Sequence, residues 1–521
     1  MLTFRCWLSA GVVVGVTVWP GALHSAQGIA GSATAAMEEL IAEKDAGAPV
    51  DDEEDLASLD GRKVAWRTPR GKNWTVMLNG DSQAAEFNEV RSLTFSRNGQ
   101  HLAFAARRDK SWLVVLDAKE LAQRFDEVGR PVFNKDGARI AYAAKRDKRW
   151  MIVLGNEPSA VSYDEVGLPL FSDDGVHLIY SAKRAGKWTV VVDGEERGPQ
   201  FDDVGYRVFS PDGRRVAYAG RRGGKWMGVL DGKEGPLFDI LGGLAFSSDS
   251  RRFAYAGADV HRSLGSQKAQ GRAIVDGEPG PLFDGNQVGS FKKSMVTGTT
   301  VTILEGVFGQ LLSDIHGLTA PVFSPDGTRI AFAVHRGEND AAVIVDGQPG
   351  PRFPSIVGGP VFSADSRHVA YVVSEGDGKM LVVDGERVGR AAPAGTDFVT
   401  ELTFAPNNRT VGYVGVTGGS WYERGLTRRA RRRIYVDGQA GNEYDALAIS
   451  RPQFTSEGSH SVYAVYHLQE KSRNVSFVVT DTAEGKRYDY LFGTLDILEN
   501  RAVVYAAQSG RKFFRVTQPL Q

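Results

Sequence analysis

The chain repeats itself every 38 residues. Phe95, Phe133, Phe171 and Phe209 open "FSRNG", "FNKDG", "FSDDG" and "FSPDG" at that spacing, and Phe246 follows after 37. Trp74, Trp112, Trp150, Trp188 and Trp226 keep the same beat, so five of the nine tryptophans mark one structural position. Within a unit, "YRVF" is an apolar strand, Pro-Asp-Gly turns the chain, and "RRVAYAG" alternates as a second strand. "RRGGK" makes the next turn, "WMGVLDG" is a third strand closed by an Asp-Gly hairpin turn, and "GPLFD" is a short outer strand. A period near 40 with four strand-like runs predicts a propeller blade. Such a sheet has two apolar faces, so it must stack on neighbours, and closing the row into a ring removes the open ends.

The pattern FSPDG-x-x-x-AY followed by a hairpin and VDG resembles the TolB-type WD40-like (PD40) β-propeller repeat family of bacterial exported proteins. The resemblance covers roughly 57–521. It implies an all-β fold strongly and a function only weakly, because propellers carry many functions. Counting copies sharpens the architecture. Gly61 lies one step before Gly99, further copies start at Phe323, Phe362, Phe404 and Phe454, and "DILENRAVVY" at 496–505 is a worn last copy. The 77-residue gap from Phe246 to Phe323 holds a poor copy at 286–318, which makes twelve four-stranded units. Known rings have four to eight blades. The expectation is therefore tandem β-propellers, two six-bladed rings at 57–285 and 286–521, with seven plus five as the alternative. The last copy has no good outer strand, so another segment is expected to complete it.

Residues 1–26 carry Arg5 and then an apolar run broken by Pro20, the layout of a secretory signal peptide; an uncleaved anchor is the alternative. No stable membrane span is expected after its removal, and the protein is expected in the periplasm or outside the cell. Cys6, the only cysteine, lies in that segment, so the rest of the chain offers no disulfide or thiolate site. Residues 27–56 form an acidic linker in which Met37, Leu40 and Ile41 share one stripe of a possible short helix, followed by the acidic run 51–55. Lys plus Arg (62) and Asp plus Glu (63) nearly cancel, so bulk charge gives no reason to expect nucleic acid.

A residue copied on every blade normally serves the scaffold, and function is sought where the pattern breaks. The tryptophans are either platforms for planar ligands or packing between blades under Lys and Arg stems. The basic turns (Arg107, Arg108, Lys110; Lys145, Arg146, Lys148, Arg149; Lys183, Arg184, Lys187; Arg221, Arg222, Lys225) face acid pairs Asp126 and Glu127, Asp164 and Glu165, Asp202 and Asp203. The resembling fold puts both on one face, which suggests recurring ion pairs, with a polyanion site as the alternative. Three stretches break the repeat: 257–272, 285–320 and 417–438. The last holds Trp421, Tyr422, Arg424, Arg428, Arg429, Arg431, Arg432 and Arg433. Such a hairpin suits phosphates, sulfates or an acidic protein surface, or is a solvated loop. There is no G-x-S-x-G elbow, H-E-x-x-H, P-loop or dinucleotide fingerprint, and the scattered histidines, His261, His316, His335, His368, His460 and His467, suggest no ligand set. No cofactor or metal is expected. The leading expectation is a non-catalytic binding or scaffold protein of the cell envelope, with a protein partner or anionic ligand. The alternative is a propeller hydrolase or lyase acting on carbohydrate or peptide, which needs only two converging carboxylates.

Overall fold

The computed structural model describes residues 36–44, 48, 55–83, 85–263, 266–280, 283–285, 320–335, 339–376, 378–392, 396–417, 430–446, 448–470, 473–480 and 483–520. Within them there are strands and no helix. They form eleven antiparallel sheets of four or five strands, taken in chain order. Sheets 1 to 6 span 56–82, 89–120, 127–158, 165–201, 203–234 and 240–285, and sheets 7 to 10 span 322–353, 355–392, 396–444 and 448–484. Sheet 11 joins 490–519 to the strand Met37–Glu43. The all-β propeller architecture is as expected, but the count is eleven rather than twelve. The twelfth unit, read from 286–318, lies outside the described residues, as do 1–26 and 51–54.

Sheet 5 shows how the repeat builds itself. Asp203–Phe209, Val216–Arg222 and Lys225–Leu230 pair in succession, Lys233–Glu234 adds the short outer strand, and Phe238 bridges back to Trp226. Asp231 and Gly232 both have positive φ (50° and 82°), the backbone a tight primed hairpin turn requires. Asp231 also works across the sheet. Its Oδ1 accepts the Val216 N–H at 2.9 Å and its Oδ2 accepts Arg215 Nε at 2.9 Å. In the first turn, Ser210 Oγ donates to Asp212 Oδ1 (2.6 Å) and accepts the Arg215 N–H (2.9 Å). These side-chain bonds satisfy backbone groups the ladders leave free.

The core lies between successive sheets. Trp188, Val190 and Phe201 of sheet 4 meet Tyr218, Met227 and Val229 of sheet 5 in one buried cluster. Phe201 meets Tyr218 edge to face at 5.9 Å, and burial pushes the Tyr218 hydroxyl up to about 12. A belt of hydrogen bonds ties the first turns of neighbouring sheets. Asn98 Nδ2 donates to Asp136 O (2.6 Å), the Asp212 N–H to Ser250 Oγ (3.0 Å), the Asp326 N–H to Ser366 Oγ (3.0 Å), and Asn407 Nδ2 to Glu457 O (2.9 Å).

The belt passes from sheet 6 to sheet 7 in the manner of its other steps. Arg252 reaches Thr328 O at 3.2 Å and lies over the Phe323 ring, as Arg215 reaches Arg251 O and lies over Phe246. Sheet 11 in turn packs on sheet 1. Trp66 stacks on Phe513 with centroids 5.5 Å apart, and Thr494 Oγ1 donates to Leu59 O at 2.9 Å. Among the described residues, contacts thus link sheet 6 to sheet 7 and sheet 11 to sheet 1.

The expected short helix is a strand. Met37–Glu43 pairs antiparallel with Lys512–Pro519, Met37 opposite Thr517 and Glu43 opposite Lys512. Met37, Leu40 and Ile41 do recur at helical spacing, but seven residues form a poor helix alone, while the open edge of the last sheet offers a ladder. Ala42 is buried, and Glu38 accepts Tyr488 Oη (2.5 Å) and Lys486 Nζ (2.7 Å). This strand is the missing outer strand of the last repeat. Beside it, the Lys44 ammonium, buried at 0% side-chain exposure, pairs with Asp55 of the acidic run.

Candidate functional site

The repeated residues with chemical potential are spent on one another. The lead-in loops of sheets 3, 4 and 5 each carry two acids with separate tasks. The first caps the hairpin turn between the second and third strands: Asp126 Oδ2 accepts the Asp147 N–H (2.9 Å), Asp164 the Ala185 N–H (2.8 Å) and Asp202 the Gly223 N–H (2.9 Å). The second stands opposite a cation on the neighbouring strand. Glu127 pairs with Lys145 (3.8 Å), Glu165 with Lys183 (2.5 Å), and Asp203 with Arg221 (3.0 Å). Both groups thus share one face, the hairpin face, opposite the belt. The basic turn is engaged once more in each of three sheets, by Arg108–Glu120, Arg184–Glu196 and Arg222–Glu234 at 2.6, 3.0 and 2.7 Å.

The tryptophans are part of this scaffold. Trp112 and Trp188 are buried, and each of the five pairs across to an aromatic on the outer edge, from Trp74 with Phe87 to Trp226 with Phe238. Lys145, Lys183 and Arg221 lie over Trp150, Trp188 and Trp226 at 5.3, 5.5 and 5.4 Å, and Arg91 over Trp112 at 4.0 Å. Cation, indole and acid form one unit in which the ring face is already covered.

The breaks in the repeat fare differently. The stretch 257–272 lengthens the central hairpin of sheet 6, Phe253–Ser263 against Ser266–Val275, and Asp259 takes Lys225 at 2.6 Å. Between sheets 6 and 7 lies a cleft of 390 Å³ lined in part by Ala273, Gly280, Phe332 and Ile344. Phe332 stands where sheet 5 has Tyr218, whose hydroxyl reaches the preceding sheet at Arg197 O (3.5 Å); without that hydroxyl the junction is less filled. Of the arginine-rich hairpin, Trp421, Tyr422, Arg424, Arg428 and Arg429 lie outside the described residues. Arg431, Arg432 and Arg433 are in the third strand of sheet 9, Arg431–Val436. Arg431 and Arg433 both turn to Glu443, at 3.0 and 3.5 Å. Arg432 points the other way and is buried; its Nη1 donates to Ala430 O (2.9 Å) and to Ala446 O. Burial lowers its pKa to about 10, against the opposing pull of Asp445.

Two charged pairs were not singled out from the sequence. Glu401, on the first strand of sheet 9, and Arg451, between the two short first strands of sheet 10, meet at 3.3 Å, and Glu401 holds a positive φ of 56°. Ser92, Gly243 and Gly359 take the same conformation three residues before their own repeat Phe, so a carboxylate there was legible as a departure. The second is a like-charged pair, Asp496 of sheet 11 and Asp60 of sheet 1. Desolvation, and then the charge of Asp60, raise the Asp496 carboxyl, while Thr494 and Arg515 pull it down. Among the described residues no group of three or more His, Cys, Asp or Glu could hold a metal ion, and no helix is long and apolar enough to cross a membrane.

No known family profile and no curated protein matches the chain. Solved structures similar to it include TolB from Acinetobacter baumannii, 15% identical over 57% of this chain and 79% of that one, with a TM-score of 0.22. The β-propeller domain of the Trilobed protease from Pyrococcus furiosus is 14% identical over 62% and 95%, at 0.25. The acylaminoacyl peptidase of Pyrococcus horikoshii is 9% identical over 73% and 57%, at 0.27. At such TM-scores these likenesses decide neither ring geometry nor activity, and the propeller architecture rests on the sheets themselves.

Proposed function

We propose that this chain is a non-catalytic, exported β-propeller that binds and organises a protein partner or an anionic ligand in the cell envelope, its eleven described sheets acting as one ring. One observation carries the reading: every acid pair repeated on the lead-in loops is committed to a turn N–H and a cross-strand cation, so the repeats supply a rigid frame and no free acid–base couple. Specificity then falls to the unrepeated hairpin of sheet 9, whose Arg424, Arg428 and Arg429 follow Trp421 and Tyr422 in sequence. The test is affinity capture from an envelope fraction by the wild-type chain and by a variant with Arg424, Arg428 and Arg429 changed to Ser, leaving Arg431–Arg433 in their strand. A partner that withstands moderate salt on the wild type and is lost on the variant is the expected result; empty captures from both overturn it.

A second reading, a hydrolase or lyase acting on carbohydrate or peptide, is favoured by Asp60 and Asp496. Asp496 is an unrepeated carboxylate with its pKa raised by burial, as an acid catalyst requires, and Asp60, the turn Asp of sheet 1 that accepts Ser58 Oγ at 2.6 Å, adds its charge from the neighbouring sheet. Turnover of a glycan or peptide panel by wild type that disappears in Asp496→Asn supports this reading over the first.

A further inference from the structure

Arg432 occupies the slot that holds tryptophan in the first five sheets. It lies five residues before Asp437, as Trp188 lies five before Asp193, and it pairs with Tyr444 as Trp188 pairs with Phe201. Val416 on the second strand stands beside it, and Tyr444 and Ala446 are buried around it. A flat indole has thus been exchanged for a flat cation of smaller area in an otherwise apolar junction between sheets 9 and 10. The guanidinium is enclosed, the residue being 4% exposed.

Its hydrogen bonding is incomplete in a directional way. Nη1 is saturated by two carbonyl oxygens, those of Ala430 and Ala446, which fix the plane of the group. Nη2 is buried and has no hydrogen-bond partner among the described residues. Among the described residues no carboxylate pairs with it; Glu443 is shared by Arg431 and Arg433, and Asp445, which is exposed, acts on it only through space. Three guanidinium groups therefore face two carboxylates, and the uncompensated charge is the one removed from water. Proteins bury such a charge with a counter-charge or not at all. A guanidinium whose remaining N–H groups are free and oriented matches the oxygens of a planar or tetrahedral oxyanion.

We propose that Arg432 anchors an oxyanion site between sheets 9 and 10, on the hairpin face, that takes one carboxylate or phosphate group. The site rests on the binding reading above and deepens it, since it names the chemical group the ligand must present.

The test uses the purified chain, with inorganic phosphate and acetate as probes and chloride at matched ionic strength as the control. Wild type is expected to show a saturable rise in unfolding midpoint with phosphate beyond that with chloride. A matching response to acetate assigns the site to carboxylates as well, and its absence assigns it to phosphate. Arg432→Trp restores the residue of the other sheets and is expected to fold at or above the wild-type midpoint with at least a tenfold weaker phosphate response. Should the indole fail to fit, Arg432→Met, uncharged and flexible, carries the same expectation. A wild type that does not distinguish phosphate or acetate from chloride overturns the proposal, as does a folded Arg432 variant that responds as wild type does. Salt-resistant capture of a partner with no oxyanion response would sink this site and leave the binding reading standing. An oxyanion response with empty captures would leave this site standing and remove the protein partner from the binding reading.

Discussion

Sheets 1 to 5 and sheets 6 to 10 place different side chains in one and the same slot. In the first group the third strand begins with Trp74, Trp112, Trp150, Trp188 or Trp226, each opposite an aromatic of the outer strand. In the second the slot holds Gly271, Ala341, Lys379, Arg432 and Ser476, in unchanged register opposite Phe283, Phe353, Ala392, Tyr444 and Tyr488. The backbone is therefore indifferent to what fills the slot, while the packing is not. Five identical fillings point to a frame. Five different ones free each junction to acquire its own property: a 390 Å³ cleft between sheets 6 and 7, an enclosed guanidinium between 9 and 10.

The contrast can be broken by substitution. Trp188→Ala is expected to cost about 3–5 kcal/mol by chemical denaturation, because the cavity it leaves is walled by Phe201 and Tyr218. A cost near zero would mean that the tryptophans are not what holds sheets 1 to 5 together. The reverse exchange probes the second group. Ser476 is fully buried, so Ser476→Trp is expected to destabilise by about 1–3 kcal/mol through overpacking; stabilisation would show that the slot is merely empty.

Acid should affect both groups alike. Asp174, Asp212, Asp249, Asp326 and Asp365 each accept a serine hydroxyl in the first turn, and that bond, with a backbone N–H, holds their carboxyls below the usual range, Asp326 at about 2. Their folded values lie below the unfolded one, so the stability they add is complete above about pH 4 and is lost as pH falls through the folded values. Unfolding midpoints followed from pH 5 to 2 are expected to fall less steeply in Asp326→Asn than in wild type, and an unchanged slope would remove the turn from the account. The smallest effect belongs to the exposed pairs. Lys187→Ala, which releases Asp202 at the surface, is expected to leave the unfolding midpoint nearly unchanged, with any difference erased by salt.

What the sequence disclosed, and what it hid, follows from the range of the interactions. The phase of the repeat, the Asp-Gly turns and the pairing of basic turns with acidic loops depend on neighbours within about one period, and all were legible. The strand Met37–Glu43 was not, because its partner lies at the far end of the chain and its apolar spacing fits a helix equally well; only the missing outer strand of the last repeat hinted at it. Arg431–Arg433 read as part of a loop because five arginines in six residues overwhelm any strand pattern. Counting back five residues from Asp437 would have set Arg432 in the tryptophan slot. The number of rings is not legible in the repeat for a different reason: a period fixes what one sheet is, whereas the ring count depends on how far each junction turns.

The pairing of the two chain ends sets an order of events. Glu38 and Tyr488 are 450 residues apart, so Met37–Glu43 is made long before the strand it pairs with. Distance alone weighs little at equilibrium, about 0.6 kcal/mol for each doubling of a loop, but it delays closure until every sheet between is in place. Until then the Lys512–Pro519 strand has a bare edge, and Met37 and Leu40 belong to no sheet. The same strand from a second copy carries the same side chains in the same register. Closure within one chain is therefore favoured by effective concentration rather than by recognition, and crowding nascent copies together is the condition under which they would exchange first strands.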